Sequence, residues 1–119
     1  MERHRQVTRL LGWMDRHPAV PQVLVGDFNA SPAVGSIQLV ATRLRSAHVV
    51  VHGSEPPRTL PTPLRVGATG NGVVMDYIWV NELLDVHDAR VVFDEVDRQD
   101  PHLVASDHYG LTATVSVRT

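Results

Sequence analysis

Three short polar clusters occur beside apolar runs in this sequence: Gly26–Asn29, Asp76–Ile78 and Ser106–His108. Each contains carboxylate, amide or imidazole groups next to residues typical of a β-strand. A fold presents metal ligands and an acid/base group in this way at the end of a sheet. The clusters therefore indicate metal-assisted chemistry with proton transfer.

The first cluster follows the short apolar run 22–25, which predicts a buried strand. Asp27 and Asn29 are two residues apart, so that one loop can direct both side chains to a single ligand. A carboxylate and an amide together suit a hydrated divalent cation and a phosphate oxygen. Asp and Asn also favour turns through local hydrogen bonds, and a turn-only role is the alternative.

The second cluster places Asp76 within the apolar run 73–80. An ionised carboxylate buried in such a strand is costly without a partner, so Asp76 must be paired or lie at the strand end. His108 is a natural partner, because a carboxylate that accepts from one imidazole nitrogen leaves the other nitrogen available as a base. The alternative is a structural aspartate that satisfies backbone donors.

The remaining pattern predicts the elements that position these clusters. Val7, Leu10, Leu11 and Met14 have the spacing of a helix that ends before Pro18. A second helix is expected with Ser31 as N-cap and Pro32 in its first turn. Strands are expected at 48–51, 73–80, 91–93 and 111–117, and a long irregular loop at 55–72.

Composition limits the class of protein. The 119 residues are 43% hydrophobic and 20% charged with a net charge of −2, which predicts a single domain over 1–119 and argues against a strongly basic nucleic-acid binder. The absence of cysteine excludes thiolate metal sites and disulfides. With no apolar segment of spanning length, we expect a soluble, cytoplasmic protein.

The three motifs in this order resemble the endonuclease/exonuclease/phosphatase (DNase I-like) superfamily. Its strand followed by Gly-Asp-Phe-Asn matches 23–29, its Asp-Tyr-Ile matches 76–78, and its terminal Ser-Asp-His matches 106–108. The match is to the C-terminal half of that family. The resemblance implies an α+β fold, half of a four-layer sandwich, with one mixed or antiparallel sheet and two helices.

The same resemblance implies roles for individual residues. Asp27 would handle proton transfer or orient the attacking water and would approach a metal, while Asn29 holds the phosphate. Asp107 would be a metal ligand, and His108, oriented by Asp76, would contact the phosphate or act as acid/base. Mg²⁺ or Mn²⁺ is the implied cofactor, since the ligands are rich in oxygen.

The sequence also departs from the family pattern. The family's first half contributes a metal-binding Glu, an early Asn and a further His that have no matching motif here. We therefore expect an uncovered apolar sheet face and a twofold homodimer that rebuilds the sandwich, with an acidic residue of the second copy replacing the missing Glu. Sequence does not choose among Glu55, Glu82 and Glu95.

The function predicted is metal-dependent hydrolysis of a phosphodiester, with nucleic acid as one substrate class. One alternative is a noncatalytic remnant that serves as a dimerisation or partner-binding module, and another is a phosphomonoesterase or lipid phosphodiesterase. Arg58 and Arg65 are candidates for phosphate contact, although solvated loop positions are the simpler interpretation. The acidic stretch 94–100 is interpreted as a solvated loop close enough to Ser-Asp-His to attract a cation.

Overall fold

A computed structural model describes residues 2–64 and 72–119 of the chain. In chain order the elements are α1 (Glu2–Met14), β1 (Val23–Asp27), α2 (Gly35–Ala41), β2 (Arg45–Ser46), α3 (Ala47–His52), β3 (Asp76–Val80), β4 (Leu84–Val92) and β5 (Gly110–Val117). All strand pairs are antiparallel. The α+β class predicted from sequence is confirmed.

Helix α1 buries one face, as its residue spacing predicts. Val7, Leu11 and Met14 are buried and follow the four- and three-residue intervals of an amphipathic helix. Turn hydrogen bonds beyond Met14 end the helix before Pro18. The buried face of α1 packs with Ile37 and Val40 of α2 in the main core.

The first sheet has the strand order β1-β3-β2. Its register pairs Asp27, the last residue of β1, with Asp76, the first residue of β3. The backbone N–H of Phe28 extends this contact by donating to the carbonyl of Met75 at 2.7 Å. Antiparallel pairing in this register therefore brings the first two polar clusters to the same end of the sheet.

The second sheet is the pair β4-β5, in which Val92 lies opposite Gly110. Strand β5 also contacts β3, so the two sheets are neighbours in the fold. Because β5 begins two residues after His108, the third cluster lies at the start of β5. The starts of β3 and β5 and the ends of β1 and β4 thus meet at one edge.

The two faces of β1 have different environments. Leu24 packs against the core that contains Tyr77 and Trp79. Adjacent side chains in a strand project to opposite faces, and Val23 and Val25 are 51% and 59% exposed. An apolar sheet face is therefore uncovered in the single chain.

Three local predictions are wrong. Residues 48–51 were expected as a strand because valine is β-branched, but they lie in α3, which ends at Gly53 with a φ of 81°. Helix α2 begins at Gly35 with Val34 as N-cap, since Ser31 and Pro32 form a preceding turn in which Val34 N–H donates to the Ser31 carbonyl. Strand β3 starts at Asp76, and before it Val73 forms an isolated bridge to Leu60.

None of the helices in 2–64 and 72–119 is long and apolar enough to cross a lipid bilayer.

Candidate functional site

Side chains from all three clusters meet at the edge where the four strands end or begin. One ligand atom each from Asp27, Asp76 and His108 lies within 4.8 Å of the other two. These residues come from the end of β1, the start of β3 and the segment before β5. Residues that are far apart in sequence therefore form one compact polar group.

Asp76 and His108 form the pair expected from sequence. Nδ1 of His108 lies 2.8 Å from Oδ2 of Asp76 and donates to it, whereas Nε2 points towards Asp27, 3.8 Å from its Oδ2. This hydrogen bond and the location of Asp76 at the first position of β3 reduce the free-energy cost of burying its carboxylate. The imidazole is thereby oriented with Nε2 directed at the other carboxylate.

The surroundings of His108 favour its protonated form. Burial lowers the pKa of His108, but the hydrogen bond and charge of Asp76 act in the opposite direction. The negative charges of Asp27 and Asp107 add to this effect, and the net result is a pKa above the ordinary value for histidine. An imidazolium at this point is suited to contact an anionic group such as a phosphate.

Asp27 is held by a local turn. Its Oδ1 accepts the backbone N–H of Asn29 at 2.8 Å, which is the turn interaction that Asp commonly forms. Asn29 has a φ of 51°, and Gly26 has a φ of 145° that a residue with a side chain rarely adopts. Oδ1 thus fixes the turn, while Oδ2 faces His108.

Two aromatic residues anchor that turn to β3. The buried Tyr77 donates its hydroxyl hydrogen to the carbonyl of Ala30 at 2.8 Å. Phe28 packs edge-on against the Tyr77 ring with centroids 5.6 Å apart. Burial raises the pKa of Tyr77 well above its ordinary value, so the hydroxyl keeps its proton. Tyr77, which belongs to the second cluster, consequently fixes the position of the first cluster, Gly26–Asn29.

Two buried threonines organise the third cluster, and sequence reasoning did not identify either. Thr62 donates its backbone N–H to the Asp107 carbonyl at 3.0 Å and its hydroxyl to the Ser106 carbonyl. Thr59 accepts the N–H of Met75 at 3.0 Å on its hydroxyl, and its carbonyl accepts the N–H of Tyr109. Threonine in a proline-rich stretch looks like an ordinary loop residue, so no sequence signal distinguishes these two.

Asp107 lies beside the compact group and is not one of its three members. Its charge acts on His108, and its backbone carbonyl is held by Thr62. Asn29 is exposed on the turn next to Asp27. All five residues predicted for the site are therefore at this edge of the fold or directly adjacent to it.

The donor types fit a hard divalent cation. Asp27 offers a carboxylate whose side chain is 39% exposed, next to an imidazole and a second carboxylate. Mg²⁺ and Mn²⁺ accept one or two carboxylates with water completing their coordination. The residues present are thus compatible with the predicted cofactor.

One of the two predicted arginines can be located. The guanidinium carbon of Arg58 lies 6.0 Å from the ring centroid of Tyr109, the neighbour of His108. A cation is therefore near the site, at an exposed position. Arg65 lies outside the described residues.

Comparison with known proteins relates this geometry to a family. Residues 1–108 match the model of the endonuclease/exonuclease/phosphatase family. Among curated protein sequences, none matches significantly.

Several solved structures have the same fold. A conserved protein of unknown function from Enterococcus faecalis V583 is 24% identical with a TM-score of 0.76, over 98% of this chain and 44% of that one. The human nocturnin catalytic domain, solved with bound sulfate, is 26% identical with a TM-score of 0.70, over 97% of this chain and 41% of that one. A mannosyl-6-phosphatase from Bacteroides thetaiotaomicron is 15% identical with a TM-score of 0.65, over 95% and 44%.

The chain spans less than half the length of each of these structures. The family model nevertheless covers most of the chain and includes all three polar clusters. The chain belongs to the endonuclease/exonuclease/phosphatase family, of whose fold it forms a part.

Proposed function

We propose that this chain hydrolyses phosphodiester bonds with Mg²⁺ or Mn²⁺, and that it does so as a twofold homodimer. The observation that carries the proposal is the convergence of Asp27, Asp76 and His108 within 4.8 Å at one edge of the fold. Membership of a family of phosphoesterase type supports the reaction class.

In the proposed reaction, a water oxygen attacks phosphorus while the bond from phosphorus to the leaving ester oxygen breaks. Asp27 orients the water and takes its proton, and the leaving oxygen takes a proton from solvent water and departs as an alcohol. His108, held by Asp76, donates from Nε2 to a phosphate oxygen as negative charge develops there. Asn29 donates its amide to a second phosphate oxygen.

The bound cation would supply charge stabilisation of the phosphate oxygens. Asp27 and Asp107 are the proposed protein ligands. Arg58, whose guanidinium group lies beside the Tyr109 ring, is a further group proposed to contact the phosphate.

The homodimer is proposed from the exposed face of β1. Val23 and Val25 project from the sheet face opposite the core, on the strand that ends at Asp27. A second copy packed on this face would cover the valines and bring its own carboxylates near the site. One of Glu55, Glu82 and Glu95 of that copy would then take the place of the family's metal-binding Glu.

A chromogenic phosphodiester tests the activity. Bis(p-nitrophenyl) phosphate should be hydrolysed with Mg²⁺ or Mn²⁺ and not with excess chelator, and Asp27→Ala or His108→Ala should abolish turnover. His87→Ala is the matched control, because His87 is exposed on β4 and binds only Ser116 among the described contacts. Absence of turnover with any divalent ion would favour the alternative, a noncatalytic dimerisation or partner-binding module.

Light scattering after size exclusion tests the homodimer. The chain should elute with twice the monomer mass at micromolar concentration, and Val25→Lys should give a monomer. Val50→Lys is the control, since Val50 is an exposed valine of α3. A monomeric wild-type chain contradicts this part of the proposal and leaves the assay above to decide the activity.

A phosphomonoesterase is the second candidate function. It is favoured by the structural similarity to a mannosyl-6-phosphatase. The phosphomonoesterase would be supported if p-nitrophenyl phosphate, a monoester, released p-nitrophenol faster than the diester does with the same metal. A lipid phosphodiesterase would instead require turnover of a phospholipid in micelles.

A further inference from the structure

Phe93 lies at the same edge of the fold as the proposed site. It follows Val92, the last residue of β4, which pairs with Gly110 at the start of β5. A Cβ built on Gly110 would lie 2.7 Å from Cδ2 of Phe93, so the ring covers Gly110, two residues beyond His108. Neighbouring strands are about 4.8 Å apart, and Phe93 is therefore one strand beyond the imidazole along this edge.

The conformation of Phe93 is unfavourable for its residue type. The residue is 67% exposed, and its φ is 56°. A bulky residue in the left-handed region carries backbone strain, and an exposed ring gains little from burial to offset it. Packing within the described chain does not bury this ring, and we therefore assign it a role in binding.

A groove of about 380 Å³ begins at this ring. It is lined by Val91, Val92, Phe93, Asp94, Glu95 and Ala105. Its size is within the range of small-molecule sites, and Ala105 directly precedes the Ser106–His108 cluster. The groove therefore lies at the edge that carries His108, because Phe93 also contacts Gly110.

The residues that line the groove indicate which chemical group it can bind. The exposed ring of Phe93 offers an apolar face to C–H groups, and the exposed carboxylates of Asp94 and Glu95 accept hydrogen bonds from hydroxyls. The same negative charges disfavour an extended polyanion such as a nucleic-acid strand. An apolar face flanked by carboxylate acceptors matches a neutral ring with many hydroxyls.

We propose that Phe93 and Asp94 form a subsite for an uncharged, polyhydroxylated group such as a hexose that is esterified to the substrate phosphate. This rests on the proposed function, whose reaction it leaves unchanged. The subsite determines which ester of phosphate the chain prefers.

The test compares three chromogenic diesters that all release p-nitrophenol and differ only in the second ester group: a hexose joined through its 6-hydroxyl, thymidine joined through its 5′-hydroxyl, and methyl. The wild-type chain should show kcat/KM about tenfold or more higher for the hexose ester than for the methyl ester. Phe93→Gly, which suits the positive φ, should reduce this ratio to within about twofold while leaving the methyl ester unaffected. Phe93→Trp keeps an aromatic face and should retain the preference, whereas Asp94→Asn should lower it.

The outcomes separate the two proposals. Equal rates on hexose and methyl esters, or a preference for thymidine, overturn the hexose subsite and leave the phosphodiesterase intact. If no ester is hydrolysed, the proposed function fails, and the subsite is then tested by NMR titration with hexose 6-(methyl phosphate). Binding that weakens at least fivefold in Phe93→Gly supports the subsite, and an absence of binding overturns it.

Discussion

Thr62 donates its backbone N–H to the carbonyl of Asp107 at 3.0 Å and thereby fixes the segment that carries His108. Its hydroxyl also donates to the Ser106 carbonyl and accepts the N–H of Leu64. Thr62 is 3% exposed, so these bonds are protected from water. The position of the imidazole thus depends on a loop residue far from it in sequence.

Thr62→Val should lower both the activity and the stability of the chain. Valine keeps the shape and the backbone bond to Asp107 but removes the hydroxyl, which leaves buried polar groups unpaired at a cost of about 1–3 kcal/mol. We expect kcat on the chromogenic diester to fall while urea unfolding remains cooperative. Thr114→Val, at an exposed position of β5, is the control and should change neither quantity.

Asp76→Asn should lower kcat by about 10²- to 10⁴-fold, since the imidazole loses the carboxylate that orients and charges it. The measurement is steady-state hydrolysis of the diester at saturating Mn²⁺. Asp85→Asn is a matched control, because Asp85 pairs with Arg118 at the end of the β4-β5 sheet that is remote from His108. Equal rates for wild type and Asp76→Asn would show that the 2.8 Å contact is only structural.

Tyr77→Phe should destabilise the fold by about 1–2 kcal/mol, because the Ala30 carbonyl loses its hydrogen bond in a buried environment. The midpoint of urea unfolding measures the loss. The aromatic contact with Phe28 is retained in this variant, so the change isolates the hydroxyl. An unchanged midpoint would mean that water replaces the tyrosine hydroxyl at this carbonyl.

Gly72→Ala and Gly12→Ala should have opposite effects on stability. A Cβ on Gly72 would clash with the backbone oxygen of Leu60, and the φ of 81° at Gly72 disfavours alanine. We expect a loss of about 1–3 kcal/mol there. Gly12 is inside α1 with open space around it, so alanine should stabilise by about 0.5–1 kcal/mol. Thermal unfolding of both variants checks the pair.

Glu55 should make stability fall as pH rises through the region above its unfolded pKa. Burial raises the pKa of Glu55, and the hydrogen bond from Ser46 and the charge of His48 oppose this only in part. The folded state therefore binds the proton more tightly than the unfolded state. The stability that results is present at low pH and is lost as the carboxyl ionises.

The Glu55→Gln variant tests this dependence. As the pH rises from about 4 to about 7, the unfolding midpoint of the variant should rise relative to that of the wild type. Glu82→Gln, which removes an exposed carboxylate, controls for the change in net charge. A difference that stays constant across this range would contradict the assignment.

Sequence alone determined the identity of the chemical groups and the class of the fold. The motifs at Asp27, Asp76 and His108 are local, and their types and order carry the family assignment without a structure. The period of Val7, Leu11 and Met14 likewise determined α1, since helix periodicity is a local property.

Only the tertiary structure decided how these groups meet. The register that pairs Asp27 with Asp76 depends on long-range strand pairing, and the roles of Thr59 and Thr62 depend on partners about 15 to 45 positions away. Residues 48–51 form a helix despite their β-branched composition, because contacts with β4 and the left-handed stop at Gly53 outweigh local propensity. The exposed ring of Phe93 at the site edge is likewise invisible in sequence, where Val-Val-Phe indicates only a strand.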